Sequence, residues 1–201
     1  RKKTFSANVI ALKITSTFDD SQVYDGDVTV RYSPYGAISK DIHLVIDNKD
    51  TVISRTSVTG VQQTYIIAGD QLSHGAHDIE LYASATINGV TITSNKLNFC
   101  IIAKDYGVTT PIVSTVCTTT DASQGEQVLV HWLCYDPLNT TAEVTLTVYN
   151  NNAIYSQVSR SVPATKQLWS IRDLPVGTVI LEVACNTIQR RHTITVLAND
   201  I

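Results

Sequence analysis

The chain has 201 residues, 43% of them hydrophobic and 16% charged, with a formal net charge of −3. That supports one or two compact domains and leaves no basic footprint for nucleic acid. No apolar run approaches the roughly 18 residues that a membrane helix needs, so neither nucleic acid nor membrane insertion is expected.

The chain starts at Arg1 and contains no Met, so a segment of a longer or processed product is expected. Positive charge clusters only at Arg1–Lys3 and in "QRRH" (Gln189–His192), read as a chain end and a strand-edge turn. Thr, Val, Ile and Tyr recur throughout, and helix-type Glu and Lys runs are missing, which points to strands.

In chain order, the first half is expected to form strands near 5–16, 27–34, 41–48, 51–58, 63–68, 77–86 and 90–103. In "VTVRY" (Val28–Tyr32), Val28, Val30 and Tyr32 share the inward face, while Thr29 and Arg31 face out. "LSHG" (Leu72–Gly75) places a last core Leu before a turn that needs glycine. Ile79, Leu81 and Ala83 then face inward, and Asp78, Glu80 and Tyr82 outward. The second half repeats the frame near 111–119, 127–135, 143–150, 153–162, 166–171, 178–187 and 191–198. "VLVHW" (Val128–Trp132) mirrors "VTVRY" at an offset of 100. Ile46 and Val148, Leu72 and Leu174, and Gly75 and Gly177 lie 102 apart. A two-residue insertion therefore falls around "PLNTTA" (Pro137–Ala142). Seven short strands per hundred residues predict an all-β chain of two tandem seven-stranded Ig-like β-sandwich domains, 1–104 and 105–201. "AKDYGV" (Ala103–Val108) between them is too short for a flexible tether.

"LPVGTVILEVACN" and "VLVHWLCYDP" resemble the sixth and second strands of fibronectin type III and related bacterial Ig-like modules. "LSHGAHDIELYASATINGVTITSNKLNF" is similar to the final hairpin of Ig-like repeats in large Bacteroidetes surface proteins and in tail or attachment proteins of their phages. The tyrosine that fibronectin type III modules carry near the start of the sixth strand is replaced here by His77 and Val179. Cys134 and Cys185 point inward from the strands that are bridged in antibody domains. Their first-half counterparts are Pro34 and Ala83, and Cys117 also faces in, so reduced, buried thiols are expected, with a Cys134–Cys185 disulfide as the alternative.

Other chemistry finds little support. "HGAH" (His74–His77) lacks a third ligand beyond Asp78, and Asp19, Asp20, Asp25 and Asp27 do not follow a calcium-loop order. No metal or other cofactor is expected. No nucleophile elbow or phosphate loop occurs, so the chain is read as non-catalytic. Tyr32, Tyr65, Trp132 and Trp169 are assigned to the core. Tyr149 and Tyr155, flanking the hairpin at Asn150–Ala153, are the first choice for a ligand contact, with Tyr135 added.

These features together predict a structural or spacer module pair of a larger virion (phage tail, fibre or capsid decoration) or cell-surface protein, aiding host attachment. Its partners would be other domains or subunits of the parent assembly. The alternative is a module binding a host glycan or receptor, in an adhesin or a secreted glycan-degrading enzyme. Either places the chain on a virion or outside the cell.

Overall fold

The computed structural model describes residues 11–20, 22–36 and 38–199. The basic Arg1–Lys3 stretch and the first six residues of the strand expected over 5–16 lie outside the described residues. Those described form strands joined by turns, with one 3-10 turn at Gly69–Gln71.

In the first half the strands are β1 (Lys13–Ser16), β2 (Val23–Tyr24), β3 (Val28–Tyr35), β4 (Lys40–Ile46), β5 (Lys49–Thr56), β6 (Gln63–Ile67), β7 (Gly75–Ile87), β8 (Val90–Thr93) and β9 (Leu97–Ala103). One sheet runs β1-β3-β6. The other runs β2-β9-β7-β4-β5, with β8 paired to β7. The second half contains β10 (Ile112–Val116), β11 (Asp121–Ser123), β12 (Val128–Tyr135), β13 (Thr141–Asn150), β14 (Ala153–Pro163), β15 (Gln167–Ile171), β16 (Gly177–Cys185) and β17 (Ile188–Leu197). Its sheets run β10-β12-β15 and β11-β17-β16-β13-β14. The two orders correspond strand for strand, with β8 as the one addition. The chain is all-β and holds two Ig-like sandwiches in tandem.

Pairing reproduces the sequence offset. Ile46 stands opposite Ile79, and Val148 opposite Leu181; Ile42 stands opposite Ala83, and Val144 opposite Cys185. Each of these positions lies 102 residues from its counterpart. Inward residues are buried as the alternation requires. Val28, Val30, Val128 and Val130 are fully buried, and Ile79, Leu81 and Ala83 are matched by Leu181, Val183 and Cys185. Tyr32, Trp132 and Trp169 are core residues, whereas Tyr65 is half-buried.

Four features depart from the expected strands. Each half gains a short edge strand that runs parallel to its last strand, with Val23 opposite Ile102 and Ala122 opposite Val196. The expected strand 90–103 divides into β8 and β9. β7 continues past Ala83 to a turn at Asn88 and Gly89, both at positive φ, whereas β16 ends at Cys185. Finally, the turn of the β4–β5 hairpin is Asp47–Asn48 and that of β13–β14 is Asn151–Asn152, each pair at positive φ as two-residue hairpins require. The second hairpin is therefore longer, and Asn150 closes its strand rather than matching Asn48.

By Cα proximity the chain groups into two compact units that do not follow a cut after residue 104. One takes Arg1–Phe18, of which residue 11 onward is described, with Thr29–Ile67 and Ile79–Asn98. The larger takes Asp19–Val28, Ala68–Asp78 and Phe99–Ile201. Within the larger unit, Ile102, Ile112 and Leu133 form an apolar cluster, with Val23, Ala76 and Tyr135 packed on it. Polar contacts brace it: Ser114 Oγ donates to the Cys100 carbonyl at 3.2 Å, and Arg190 donates to the carbonyls of Val113 and Ala76 at 3.4 and 3.3 Å. Lys166 Nζ meets Asp20 at 2.7 Å, and the Asp105 amide donates to His74 Nδ1 at 2.9 Å. Gly69 sits so close to Gly26 that a Cβ there would lie 2.9 Å from its carbonyl carbon. Only glycine fits that approach.

The repeated Leu–Gly frame has a structural role in both halves. Leu72 and Leu174 are each 4% exposed, and Gly75 and Gly177 open β7 and β16 at φ 151° and 112°. Leu174→Ala is expected to lower unfolding free energy by about 2–5 kcal/mol through lost burial and a residual cavity. Urea titration followed by tryptophan fluorescence measures this, since Trp132 and Trp169 share the same core cluster.

Candidate functional site

The expected tyrosine patch is not assembled as a patch. Tyr149 donates its hydroxyl to Glu182 Oε1 at 3.1 Å, and its ring lies 5.6 Å from the Arg191 guanidinium. Arg191 Nε meets Glu182 Oε2 at 2.6 Å. The ring thus caps an ion pair whose carboxylate is nearly buried, and the hydroxyl and guanidinium together offset the cost of burying that charge. Tyr155 is exposed and reaches the Asp173 carbonyl at 3.4 Å. The ladder shifts register between Val148 and Tyr149, so Tyr155 stands opposite no residue of β13. Tyr135 packs on the Ile102–Ile112–Leu133 cluster. The three rings have three separate sets of neighbours.

The cysteines serve as small apolar residues. All four are free thiols; Cys134 and Cys185 are fully buried in the second-half core. Cys117 is half-buried and packs against that core from outside, rather than within it. Burial raises all four thiols above the ordinary value, Cys100 to about 12, which suppresses the reactive thiolate.

The histidine and carboxylate candidates are engaged in structural contacts. His74 accepts from the Asp105 amide, and His77 Nε2 bonds the Ser73 carbonyl at 2.8 Å. Asp20 pairs with Lys166; Asp25 with Lys104 at 3.4 Å and with the Tyr106 hydroxyl at 3.3 Å; and Asp27 accepts from the Gly69 amide at 2.8 Å. The Tyr24 hydroxyl donates to the Asp19 carbonyl.

A polar and aromatic cluster that the sequence reading did not single out lies on the outer face of β4 and β7. His43 stacks on Tyr82 with centroids 4.4 Å apart and planes 7° from parallel. Its Nδ1 lies 3.1 Å from the Asp50 carboxylate and its Nε2 2.8 Å from Ser84 Oγ. The Tyr82 hydroxyl donates to Asp50 Oδ2 at 2.8 Å. Lys96 pairs with Glu80 at 2.8 Å and lies 5.1 Å from the Tyr82 ring centre. Register places His43 opposite Tyr82 and Asp50 opposite Val45. In the second half, the counterparts of His43, Tyr82 and Ser84 are Thr145, Ala184 and Asn186, and Gln157 stands where Asp50 does, opposite Thr147. The cluster therefore belongs to one copy alone. A signal for it was present, since His43, Tyr82 and Ser84 all alternate outward. Their convergence needs the β4–β7 register, which alternation does not supply.

Asp50, His43 and Ser84 are connected in the order of a hydrolytic triad. In the neutral ring the carboxylate can only accept, so Nδ1 carries the proton and Nε2 accepts from Ser84. Acyl transfer also needs amide donors aimed at a developing oxyanion. Ser84 lies between β4 and β8, opposite Asp41 on one side and Thr93 on the other, and the neighbouring Ala83 amide donates to Ser94 Oγ at 2.9 Å. The arrangement presents a stacked aromatic pair flanked by the Asp50 carboxylate and the Lys96 ammonium.

Its electrostatics are coupled. The Tyr82 phenol is pushed up to about 12 by burial, by its hydrogen bond to Asp50 and by the charges of Asp50 and Glu80. Burial acts to raise Asp50, but hydrogen bonds from Tyr82 and His43 outweigh it and hold the carboxyl below its usual value. Asp50→Asn is expected to bring the Tyr82 titration down from about 12 toward the ordinary 10.0. Ultraviolet titration differenced against Tyr82→Phe reads this, and an unchanged midpoint would show that burial alone sets the value.

In the larger unit, burial lowers His131, with the Lys166 charge adding to it. Burial likewise lowers His192, which bonds Thr115 Oγ1 at 2.8 Å; Asp78 opposes the shift and Arg190 supports it. His131 also lines a surface groove of about 220 Å³ with Val116, Thr118, Thr119, Gln127 and Leu129. The unfolded chain takes up these protons near the ordinary 6.5, the folded chain only at lower pH. The stability they protect is complete above about 6.5 and declines as pH falls from there through the folded values. Urea unfolding between about pH 5 and 8 should show this decline, and His192→Gln should flatten it.

No family model and no curated protein matches the chain. Among solved structures it is similar to Salmonella alpha-2-macroglobulin reacted with methylamine, at 10% identity and a TM-score of 0.34, over 96% of this chain and 17% of that one. It is also similar to the fibronectin(III)-like modules of Clostridium thermocellum CbhA, at 14% identity and 0.34, over 92% and 94%. A chimeric titin Z1Z2-Z1Z2 tandem follows at 12% and 0.32, over 92% and 100%. The Ig-like assignment itself rests on the strand orders and registers above.

Proposed function

We propose that the chain is a non-catalytic pair of Ig-like modules that carries and spaces parts of a larger virion or cell-surface protein and aids host attachment. The observation that supports this most is the bracing of the larger unit. There, segments from before residue 104 and the whole second half share an apolar cluster, the bond from Arg190 to the Ala76 carbonyl and the Lys166–Asp20 pair. A connection secured at several points transmits position, as a spacer must, whereas a bare linker would swivel. The partners on this reading are neighbouring domains or subunits of the parent assembly, such as a phage tail, fibre or capsid decoration.

A second reading is recognition of a glycan or surface receptor, and the one-copy cluster of His43, Tyr82 and Lys96 favours it. Aromatic faces ringed by charge suit sugar contacts, and a surface that serves only architecture has no need to differ between copies. Binding of the labelled chain to a broad glycan array and to intact Bacteroidetes cells separates the two. The spacer reading expects no saturable binding to either. Saturable, competable binding that disappears in Tyr82→Ala and persists in Tyr149→Ala and Tyr155→Ala would replace it with recognition through the first sandwich.

A further inference from the structure

Every open sheet presents edge strands whose outer amides and carbonyls lack ladder partners, and proteins guard such edges by keeping them short or charged. Among the described residues this chain does so nearly everywhere. The edge strands β1, β2, β6, β8, β10, β11 and β15 run from two to five residues. β5 has eight residues but carries Lys49, Asp50 and Arg55, and Arg55 is tied to Asp41 at 2.6 Å.

β14 breaks the pattern. It has eleven residues, "AIYSQVSRSVP", of which the first nine are all exposed. Arg160 is its only charge, and Pro163, the one residue without an amide donor, is its last. Ile154, Tyr155 and Val158 are 59%, 56% and 41% exposed. Uncharged polar side chains flatten one of its faces by bonding to β13: Gln157 to Thr147 at 3.1 Å, Ser159 to Thr145 at 3.2 Å and Ser161 to Thr141 at 3.1 Å.

We propose that β14 is a self-pairing edge, at which two copies of the chain join antiparallel about a two-fold axis near Val158. This goes beyond the spacer reading and does not depend on it. The sequence suits its own reverse. In this register Val158 meets Val158 and Gln157 meets Ser159, and the irregularity at Tyr155 bounds the paired stretch. The only charge, Arg160, stands opposite Ser156 of the second copy, so no like charges are opposed. The two Gln–Ser–Ser rows would continue one another across the joined sheets, and the exposed valines would be covered. A two-fold pairing uses the same surface on both partners and closes on itself, so it stops at a dimer.

Position 156 tests both the edge and the register. In sedimentation equilibrium the unmodified chain is expected to show a concentration-dependent monomer–dimer equilibrium. Ser156→Lys sets a lysine against Arg160 of the second copy and should weaken association roughly tenfold or more. Ser156→Glu sets opposite charges there and should tighten it. Val158→Lys should leave a monomer, and Val52→Lys on β5 should change nothing. Far-UV circular dichroism checks that each variant is folded, which an exposed strand position should permit. A chain that stays monomeric up to millimolar concentration overturns the proposal. So does a dimer indifferent to the sign of charge at position 156.

Discussion

Opposite Leu146 on β13 stands Val183 on β16, and opposite Leu44 on β4 stands Leu81 on β7, all four buried to 2% exposure or less. The remainder of each sandwich depends on this central pairing. Side chains alternate with a period of two, so a slip of one residue would turn every one of these groups to solvent and bring Glu182 or Tyr82 inward. Each such inversion would forfeit several buried side chains at about 1.5–3 kcal/mol apiece. The register is thereby fixed by the core, and the Leu–turn–Gly entry into β7 and β16 delivers it in phase.

Once the inward face is fixed, the outward face is free to diverge, and the halves use that freedom differently. Over β4 and β7 the first half sets a stacked His43–Tyr82 pair tied to Asp50 and Ser84. The second has Thr145 and Ala184 there and concentrates its polarity further along, where Tyr149 covers the Glu182–Arg191 pair. Glu182 is only 5% exposed and Thr147 wholly buried, although both lie on the outward face. A tyrosine read from sequence as a ligand contact is thus the lid over an ion pair whose carboxylate is buried. The stacked aromatic pair sits in the other sandwich.

The inward faces, the turns and the two-copy frame were legible in the sequence because each is written locally, by alternation or by a glycine at a fixed spacing. The short strands β2 and β11 were not, since two or three residues carry no period and their parallel partners lie more than 70 residues away. The tyrosine patch failed for a related reason. Tyr149 and Tyr155 flank one turn, but the register shift at Val148 and the longer β13–β14 hairpin send them to different neighbours, and such shifts leave no mark in the alternation. Tyr135, added to the ligand contacts, pairs with Ile112 at the end of β12 and joins an apolar cluster. The His43 cluster needed two strands in known register before it could exist at all.

The loop after the second strand shows how far a shared frame can be closed by opposite chemistry. From Tyr35 to Ile42 the chain takes seven steps, and from Tyr135 to Val144 nine. Those outer positions correspond through the ladders they join. In the shorter loop a cation does the closing. Lys40 is 1% exposed, and its ammonium donates to the carbonyls of Gly36 and Ile38 at 2.7 and 3.1 Å, while burial lowers its pKa. In the longer loop an anion does it: Asp136 accepts from the Leu138 amide and the Asn139 side chain, both at 2.9 Å, in the manner of an Asx turn. At the position of Lys40 the second half has Ala142, also buried. The closing side chain meets two carbonyls in the shorter loop and, in the longer one, the Leu138 amide and the Asn139 side chain, so a cation suits the first and an anion the second.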